Sequence, residues 1–386
     1  MGSILRVAMV RTTLHKGSGQ VVHITELAKR LRKKGIEIKI FTRECWEDLS
    51  PIETVKVEFK GSSLPFIRHF GFMVRSSMLI KEFDIVHTQY HPAVFTGNFV
   101  HTLRKIPHVF TFHGYAPIRS WYNPKQKLKM FDHTLGTILA LRAGVDRVIA
   151  ISYYIQDVLT RFYKFDQRKI SVIYNGVDIE RFQPNTDGSI LKTKYNLDDS
   201  PNILYLGRMD PYKGVQFLLR ALPLVLEKVP NAKFIIAGAT RFDRISVQDF
   251  VLSKKMRNSL IFTGYVPEAE VPLLYSICDI FCYPSMWEGF GLTPAEAQAS
   301  GKPVVAFNHC AIPEVVRNNE TGILVEPKDH KKMAEAIIKL LKDMNLRKFM
   351  GNEGRKRVEK LFTWDLSAKK TFEVYRNIVE DKGKKY

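Results

Sequence analysis

Short apolar runs alternate with amphipathic stretches along nearly the whole chain, and that alternation limits the fold more than any single motif does. Runs at 4–10, 36–41, 55–59, 84–88, 108–112, 147–151 and 170–174 read as buried strands, with helical periodicity at 64–82, 94–104, 125–143 and 153–163. A glycine-bearing loop, His15-Lys16-Gly17-Ser18-Gly19, follows the first strand and precedes a helix whose apolar face is Ile24, Leu27, Ala28 and Leu31. Strand, glycine loop, helix and strand make a βαβ unit, and parallel strands need such covering crossovers. The pattern therefore predicts a parallel sheet with helices on both faces. Turn-rich polar sequence at 175–199 interrupts it, and strands resume at 201–206, 233–237, 260–263, 280–283 and 303–307. A chain of 386 residues is long for one core, so two α/β domains are expected, followed by a helical tail at 329–382.

Ligands on such sheets bind beyond the carboxyl ends of the strands, and two stretches there carry chemistry. Gly207-Arg208-Met209-Asp210-Pro211-Tyr212-Lys213-Gly214 follows the strand at 201–206. A guanidinium holds phosphate through paired hydrogen bonds and an ammonium adds a point charge, so Arg208 and Lys213 suit a diphosphate. Glu288-Gly289-Phe290-Gly291-Leu292-Thr293-Pro294-Ala295-Glu296 follows the strand at 279–285. Thr293 is expected as a helix N-cap, with Pro294 in the first helical position and Glu296 closing a capping box. Free amides at that helix start favour an anion, and the two carboxylates flank it with acceptors for hydroxyls. Phosphates set between hydroxyl-bearing groups describe a nucleotide-sugar. Singly, Glu296 also fits a cap, Glu288 a solvated acid, and Arg208 with Lys213 a solvated loop. In the first half, His87, Gln89, His91, His113, Ser152 and Asn175 fall at strand ends, either as structural hydrogen-bonders or as a polar pocket.

Composition narrows the partners. Hydrophobic content of 45% with 25% charged residues is globular. No run approaches the roughly 18 apolar residues of a spanning helix. The formal charge of +20 favours phosphorylated ligands, anionic lipid or nucleic acid. Without a zinc-finger pattern, an RRM signature or a basic heptad helix, nucleic acid is not an expected partner. The opening MGSILRVAMV runs straight into a strand pattern, so no cleaved signal is expected, and Arg6 stands where a myristoylation start requires Ser or Thr. Cys45, Cys278, Cys282 and Cys310 are expected as buried thiols of a reducing compartment.

Together with Asn175-Gly176-Val177-Asp178 and Ser300-Gly301-Lys302-Pro303-Val304, these motifs resemble the retaining glycosyltransferases of family 4 over nearly the whole chain. The resemblance implies an α/β fold of the GT-B type: an acceptor-binding Rossmann-like domain over 1–177 and a nucleotide-sugar domain over 178–362, facing each other across a cleft. Residues 363–386 would form a helix crossing back to the first domain. It implies transfer of a hexose-type sugar from a UDP- or GDP-linked donor to a lipid-linked or glycan acceptor, by front-face attack, with no cofactor and no metal. By that likeness Arg208 and Lys213 hold the diphosphate, Glu296 the ribose and Glu288 the transferred sugar. Amides of Phe290, Gly291 and Leu292, with Gly17, Ser18, Gly19 and Gly207, complete the donor site, and His113 lies beside the reacting sugar. Two departures stand out: Gly17-Ser18-Gly19 replaces a common Gly-Gly pair, and Gln89 replaces a histidine. A small soluble acceptor, a nucleotide-sugar epimerase on a related fold and a basic binding protein without transfer activity are the competing readings.

The acceptor side has its own signal. Residues 64–82 mix Phe66, Phe70, Phe72 and Met73 with Arg68, Arg75 and Lys81. Arg119, Trp121, Tyr122, Lys125, Lys127 and Lys129 repeat the blend. It suits the interface of an anionic bilayer, and equally a core with a solvated basic face. The membrane reading makes the protein cytoplasmic, attached peripherally to the inner face of the membrane.

Overall fold

A computed structural model describes residues 4–14, 19–46, 49–58, 65–121, 123–238, 254–381 and 383. Gly17 and Ser18 lie outside the described residues. The chain divides into two compact units: residues 1–115, 129–176 and 364–386 form one, and 116–128 with 177–363 the other.

The first unit is built on β1 (Arg6–Val10), β3 (Glu37–Thr42), β5 (Glu53–Lys56), β6 (Ile85–Gln89), β7 (His108–Phe112), β8 (Arg147–Ala150) and β9 (Ile170–Val172). They pair in parallel in the order β5-β3-β1-β6-β7-β8-β9. A small parallel pair, β2 (Thr13–Leu14) with β4 (Glu44–Cys45), stands beside this sheet. Alternate residues of β1 feed opposite faces, as the two-residue repeat of a strand requires. Val7 and Met9 pack with Leu27 and Leu31 of helix Gly19–Lys33 and with Tyr375 and Ile378 of helix Trp364–Glu380. Ala8 and Val10 pack with Phe72 and Val100 on the other side. The C-terminal helix thus supplies part of this unit's core.

The second unit carries β10 (Asn202–Leu206), β11 (Lys233–Ala237), β12 (Leu260–Gly264), β13 (Ile280–Tyr283), β14 (Val304–Phe307) and β15 (Gly322–Val325), parallel in the order β12-β11-β10-β13-β14-β15. Chain order reverses between β10 and β13, so the helices leaving these two strands run to opposite faces and the strand ends stay open between them. Helix Val215–Lys228 covers one face with Leu218, Leu222 and Val225, which pack on Phe234 and Ile236. β15 carries no alternation long enough to announce itself in the sequence. Gly322 lets it lie against β14, since a Cβ there would meet Val304 O at 2.1 Å.

The tail is divided into helices His330–Lys342, Met344–Leu361 and Trp364–Glu380. Asp343 starts the second of these by accepting from the Leu346 amide at 2.9 Å, a side-chain cap inside what reads as one helical stretch. Gly351 sits mid-helix because a Cβ there would lie 2.0 Å from the Gly301 carbonyl oxygen. Alanine favours a helix over glycine by about 1 kcal/mol, whereas overpacking a tight contact costs about 1–3 kcal/mol. A backbone carbonyl yields less readily than a side chain, so Gly351→Ala is expected to lower the thermal midpoint by several degrees. A midpoint equal to or above that of the wild type overturns this account of the contact.

Candidate active site

The reversal between β10 and β13 brings the two chemical stretches together. After β10 the chain passes through Gly207 and Arg208 into a short 3₁₀ turn, Pro211–Lys213, and Gly214 at φ 76°. That left-handed backbone favours glycine, and a Cβ at 214 would lie 1.7 Å from Pro284 O, so the turn rests directly on the end of β13. The Met286 amide donates to Tyr212 O at 2.7 Å and fixes the two loops together.

Lys213 and Glu288 meet in this corner. Lys213 Nζ donates to Glu288 Oε1 at 2.5 Å and to the Tyr283 hydroxyl oxygen at 3.2 Å. Tyr283 donates its own hydroxyl to the same Oε1 at 2.6 Å, and Ser285 Oγ does so at 2.8 Å. Three donors converge on one oxygen of a carboxylate only 8% exposed. Among the described residues none is placed on Oε2. Burial, reinforced by the Glu288 charge, raises the Tyr283 hydroxyl well above its usual range and keeps it a donor. Arg208 reaches the fully buried Asp210 at 3.2 Å and also donates to the Tyr212 hydroxyl, while 40% of its own side chain faces solvent. Trp121 packs on the Tyr212 ring, centroids 5.1 Å apart, so it is a core side chain.

Helix Leu292–Ala299 starts two residues earlier than expected. Gly291 is its N-cap at φ 106°, and no side chain caps it. The left-handed glycine turns the chain before Thr293 is reached, so Thr293 is not the cap and Glu296 closes no capping box. Pro294 still falls in the first turn, where a missing N–H costs little. Glu296 instead accepts from the Tyr275 hydroxyl at 2.9 Å. Burial raises its carboxyl from 4.5 to about 7, Glu268 adds to the rise, and Tyr275 and Arg181 oppose it. Phe290 is buried against Phe362. Tyr283, Ser285, Tyr275 and Asp210 were not singled out from the sequence. Tyr283 and Ser285 leave only the trace of hydroxyls at the end of an apolar strand, whereas Tyr275 lies in helix Val271–Ser276 and Asp210 in the loop after β10.

In the first unit, Gly19 opens helix Gly19–Lys33. His113, after β7, is 6% exposed and lies 3.1 Å through Nε2 from Gln89 Oε1. The amide oxygen can only accept, so Gln89 fixes the Nε2–H tautomer and leaves the Nδ1 lone pair. His23 stands edge-on at 4.8 Å and is held by Asn175 at 2.9 Å. Burial first, then the charges of His23, Arg11 and His87, lower His113 well below the usual histidine range, so its ring is neutral. His87 belongs to the core: its nitrogens engage Tyr375 at 2.5 Å and Thr111 at 2.7 Å. Ser152 caps the next helix through Ile155 N at 3.1 Å. The strand-end residues therefore split, His87 and Ser152 to structure and His113 with Gln89 to an open strand end. Of the four free thiols, Cys278 and Cys282 are buried, but Cys45 and Cys310 are only half-buried, because each sits in a loop or short edge strand and not on a central strand.

Two Rossmann-like units, the second with a basic loop and a paired acid at its switch point, define a glycosyltransferase of the GT-B class. The Glycosyltransferase Family 4 profile matches residues 17–181 and the Glycosyl transferases group 1 profile matches 189–357, and the chain belongs to this family. It is similar to an uncharacterized glycosyltransferase of Methanocaldococcus jannaschii, 26% identical over 386 residues that cover 95% of this chain and 96% of that one. It is also similar to the D-inositol 3-phosphate glycosyltransferase of Corynebacterium glutamicum, 27% identical over 395 residues, 95% of this chain and 93% of that one. Its fold follows the sucrose-phosphate synthase of Thermosynechococcus elongatus with a TM-score of 0.81 at 22% identity, covering 98% of this chain and 100% of that one.

Glu296 generates a pH prediction. Its folded value near 7 exceeds 4.5, so the folded protein keeps a proton that the unfolded chain releases between those values. This contribution to stability is complete below about pH 4.5 and is lost as pH rises through about 7. At about 1.4 kcal/mol per unit, Glu296→Gln should flatten the stability–pH curve by about 2–3 kcal/mol between pH 4.5 and 8, read from denaturant melts. Parallel curves for the two proteins overturn it.

Proposed function

We propose that the protein is a retaining, metal-independent hexosyltransferase that moves a hexose-type sugar from a UDP- or GDP-linked donor to a lipid-linked or glycan acceptor. The observation that carries this reading is the buried Lys213–Glu288 pair with Tyr283 and Ser285 on the same oxygen. A donor diphosphate competes with Glu288 for the Lys213 ammonium, and sugar hydroxyls replace that cation on the carboxylate. As the bond between sugar and phosphate breaks, charge grows on the leaving diphosphate, where Arg208 and Lys213 stabilise it. The uncapped amides at Gly291 and Leu292 and the helix dipole add to that stabilisation. The acceptor hydroxyl attacks from the face the diphosphate leaves and passes its proton to the departing oxygen, which retains the anomeric configuration. Glu296 binds ribose hydroxyls. His113, neutral, is assigned a hydrogen bond to the transferred sugar, and Gly19 and Gly207 to the phosphate-side loops with Gly17 and Ser18.

For the acceptor, the first unit offers an apolar stripe. Phe131, Leu135 and Leu139, one helical turn apart on helix Pro124–Arg142, are 54%, 44% and 50% exposed. Phe70 on helix Pro65–Leu79 is 55% exposed, and exposed cations, Arg75, Lys81 and Lys129, lie on or near these helices. No helix among the described residues is long and apolar enough to cross a membrane. An interfacial stripe bordered by cations supports peripheral attachment to an anionic cytoplasmic leaflet. Phe72 and Trp121 do not contribute, because both are core. Phe66 and Tyr122 lie outside the residues whose side chains are described. The Corynebacterium relative's name supports a second reading, a small soluble phosphorylated acceptor.

Thermal shift against a panel of nucleotide-sugars identifies the donor, because a ligand of the folded state raises its stability. With that donor, Arg208→Ala and Lys213→Ala should lower turnover by roughly 10²–10³, and near-normal turnover in both sinks the diphosphate assignment. Glu296→Ala should weaken free nucleotide binding, whereas Glu288→Ala should spare it and impair transfer. Equal losses of nucleotide affinity contradict this division, and folding is checked alongside. Epimerised donor without transfer product would make the enzyme an epimerase instead. Co-sedimentation with anionic vesicles should need low salt and be lost in Phe131→Glu. Wild-type protein remaining in the supernatant points to the soluble acceptor.

A further inference from the structure

A second group of side chains in the first unit takes no part in the transfer scheme. His91, Asp132 and His133 each offer one ligand atom, and these atoms all lie within 4.8 Å of one another. They come from two elements, the turn after β6 and the middle of helix Pro124–Arg142, so the fold and not a local sequence motif assembles them. His91 is 8% exposed, and its buried Nδ1 has no hydrogen-bond partner among the described residues, the Asp132 carboxylate oxygen being 3.9 Å away. Its other nitrogen is packed away: a Cβ at Gly136, one turn along the helix, would meet His91 Nε2 at 2.1 Å. The glycine admits the ring and turns the Nδ1 edge towards Asp132 and His133.

The second imidazole is oriented as well. His133 is 6% exposed, and its Nδ1 lies 3.2 Å from the Tyr90 hydroxyl. In the tautomer that donates from Nδ1 to that oxygen, Nε2 carries the lone pair, the arrangement by which a neighbouring group prepares a histidine to ligate. Tyr90 holds this position at φ 70°, a left-handed backbone that is costly for a residue with a Cβ. The Tyr115 ring stands edge-on to His133 at 5.2 Å and walls the other side. Asp132 is 69% exposed at its side chain, so the cluster has two fixed nitrogens inside and one mobile carboxylate at the mouth.

We propose that His91, Asp132 and His133 form a binding site for a divalent transition-metal ion of the zinc type. Two imidazoles and one carboxylate suit zinc and its neighbours and do not suit magnesium or calcium, which take oxygen ligands. The Asp132 oxygen, 3.9 Å from His91 Nδ1, is farther than in a closed tetrahedral shell, and rotation of its exposed side chain can bring it in. A fourth position remains open at the solvent side for water. The ion ties helix Pro124–Arg142 to the end of β6. Its ligands belong to the first unit, whereas Arg208, Lys213 and Glu288 belong to the second.

The test uses the full chain without a polyhistidine tag, stripped by chelator and titrated with zinc chloride by calorimetry and with cobalt chloride by visible absorption. One equivalent should bind, with a cobalt spectrum of low coordination number, and excess zinc should raise the thermal midpoint by several degrees. Asp132→Asn, a surface change that leaves the fold intact, should weaken zinc at least about tenfold, as should His91→Gln. His309→Gln, at an exposed histidine elsewhere, should bind as the wild type does. No stoichiometric binding, or equal affinity in wild type, Asp132→Asn and His91→Gln, overturns the site.

Discussion

A carboxylate taken out of water costs several kcal/mol unless donors meet it, and Glu288 is such a carboxylate. Much of the second unit's local architecture follows from that requirement. Lys213 supplies the opposite charge, and Tyr283 and Ser285 supply hydroxyls to the same oxygen. Lys213 arrives only because Gly214 lets its turn lie on the Pro284 carbonyl. Tyr283 and Ser285 are available only because β13 ends at the point where strand order reverses. Removing any one of these leaves Glu288 less well met, and so the corner is a unit, not four independent contacts.

The two acids of the site are held differently, and that difference underlies the division of labour proposed for them. Glu288 has a cation and two hydroxyl donors on one oxygen. Glu296 has one hydroxyl, from Tyr275, within a buried surround, and its carboxyl is pushed up to about 7. A hydroxyl donated to Glu296 would favour the ionised form and draw the proton off, so the ribose contact proposed for it would be coupled to proton release. Glu288 instead meets the Lys213 ammonium directly, at 2.5 Å.

The first unit solves the same problem with neutral groups. Burial lowers His23 and His108 to about 4 and His87 to about 3, so the interior imidazoles of helix Gly19–Lys33 and of strands β7 and β6 are uncharged. Hydroxyls and amides complete them: Asn175 for His23, Thr111 and Tyr375 for His87, Gln89 for His113. A chain of charge +20 thus keeps these buried histidines of its first unit neutral.

The sequence alone determined the alternation of strands and helices, because its periods are local and the buried runs are nearly continuous. It also marked the glycine-flanked Arg208–Lys213 loop and the Glu288–Glu296 stretch as candidates for ligand binding, since phosphate and hydroxyl chemistry leave few residue types to choose from. Three matters were decided only by tertiary structure. The helix after Glu288 starts at Leu292 and not after Thr293, because Gly291 adopts φ 106° and cap preference alone does not reveal the turn. Phe72 and Trp121 went to the core while Phe131, Leu135 and Leu139 stayed exposed, since an aromatic in an amphipathic helix has no side until a sheet is placed beneath it. Tyr283, Ser285, His91 and His133 acquired their partners from residues up to dozens of positions away, because strand order, which no local pattern encodes, sets which strand ends become neighbours.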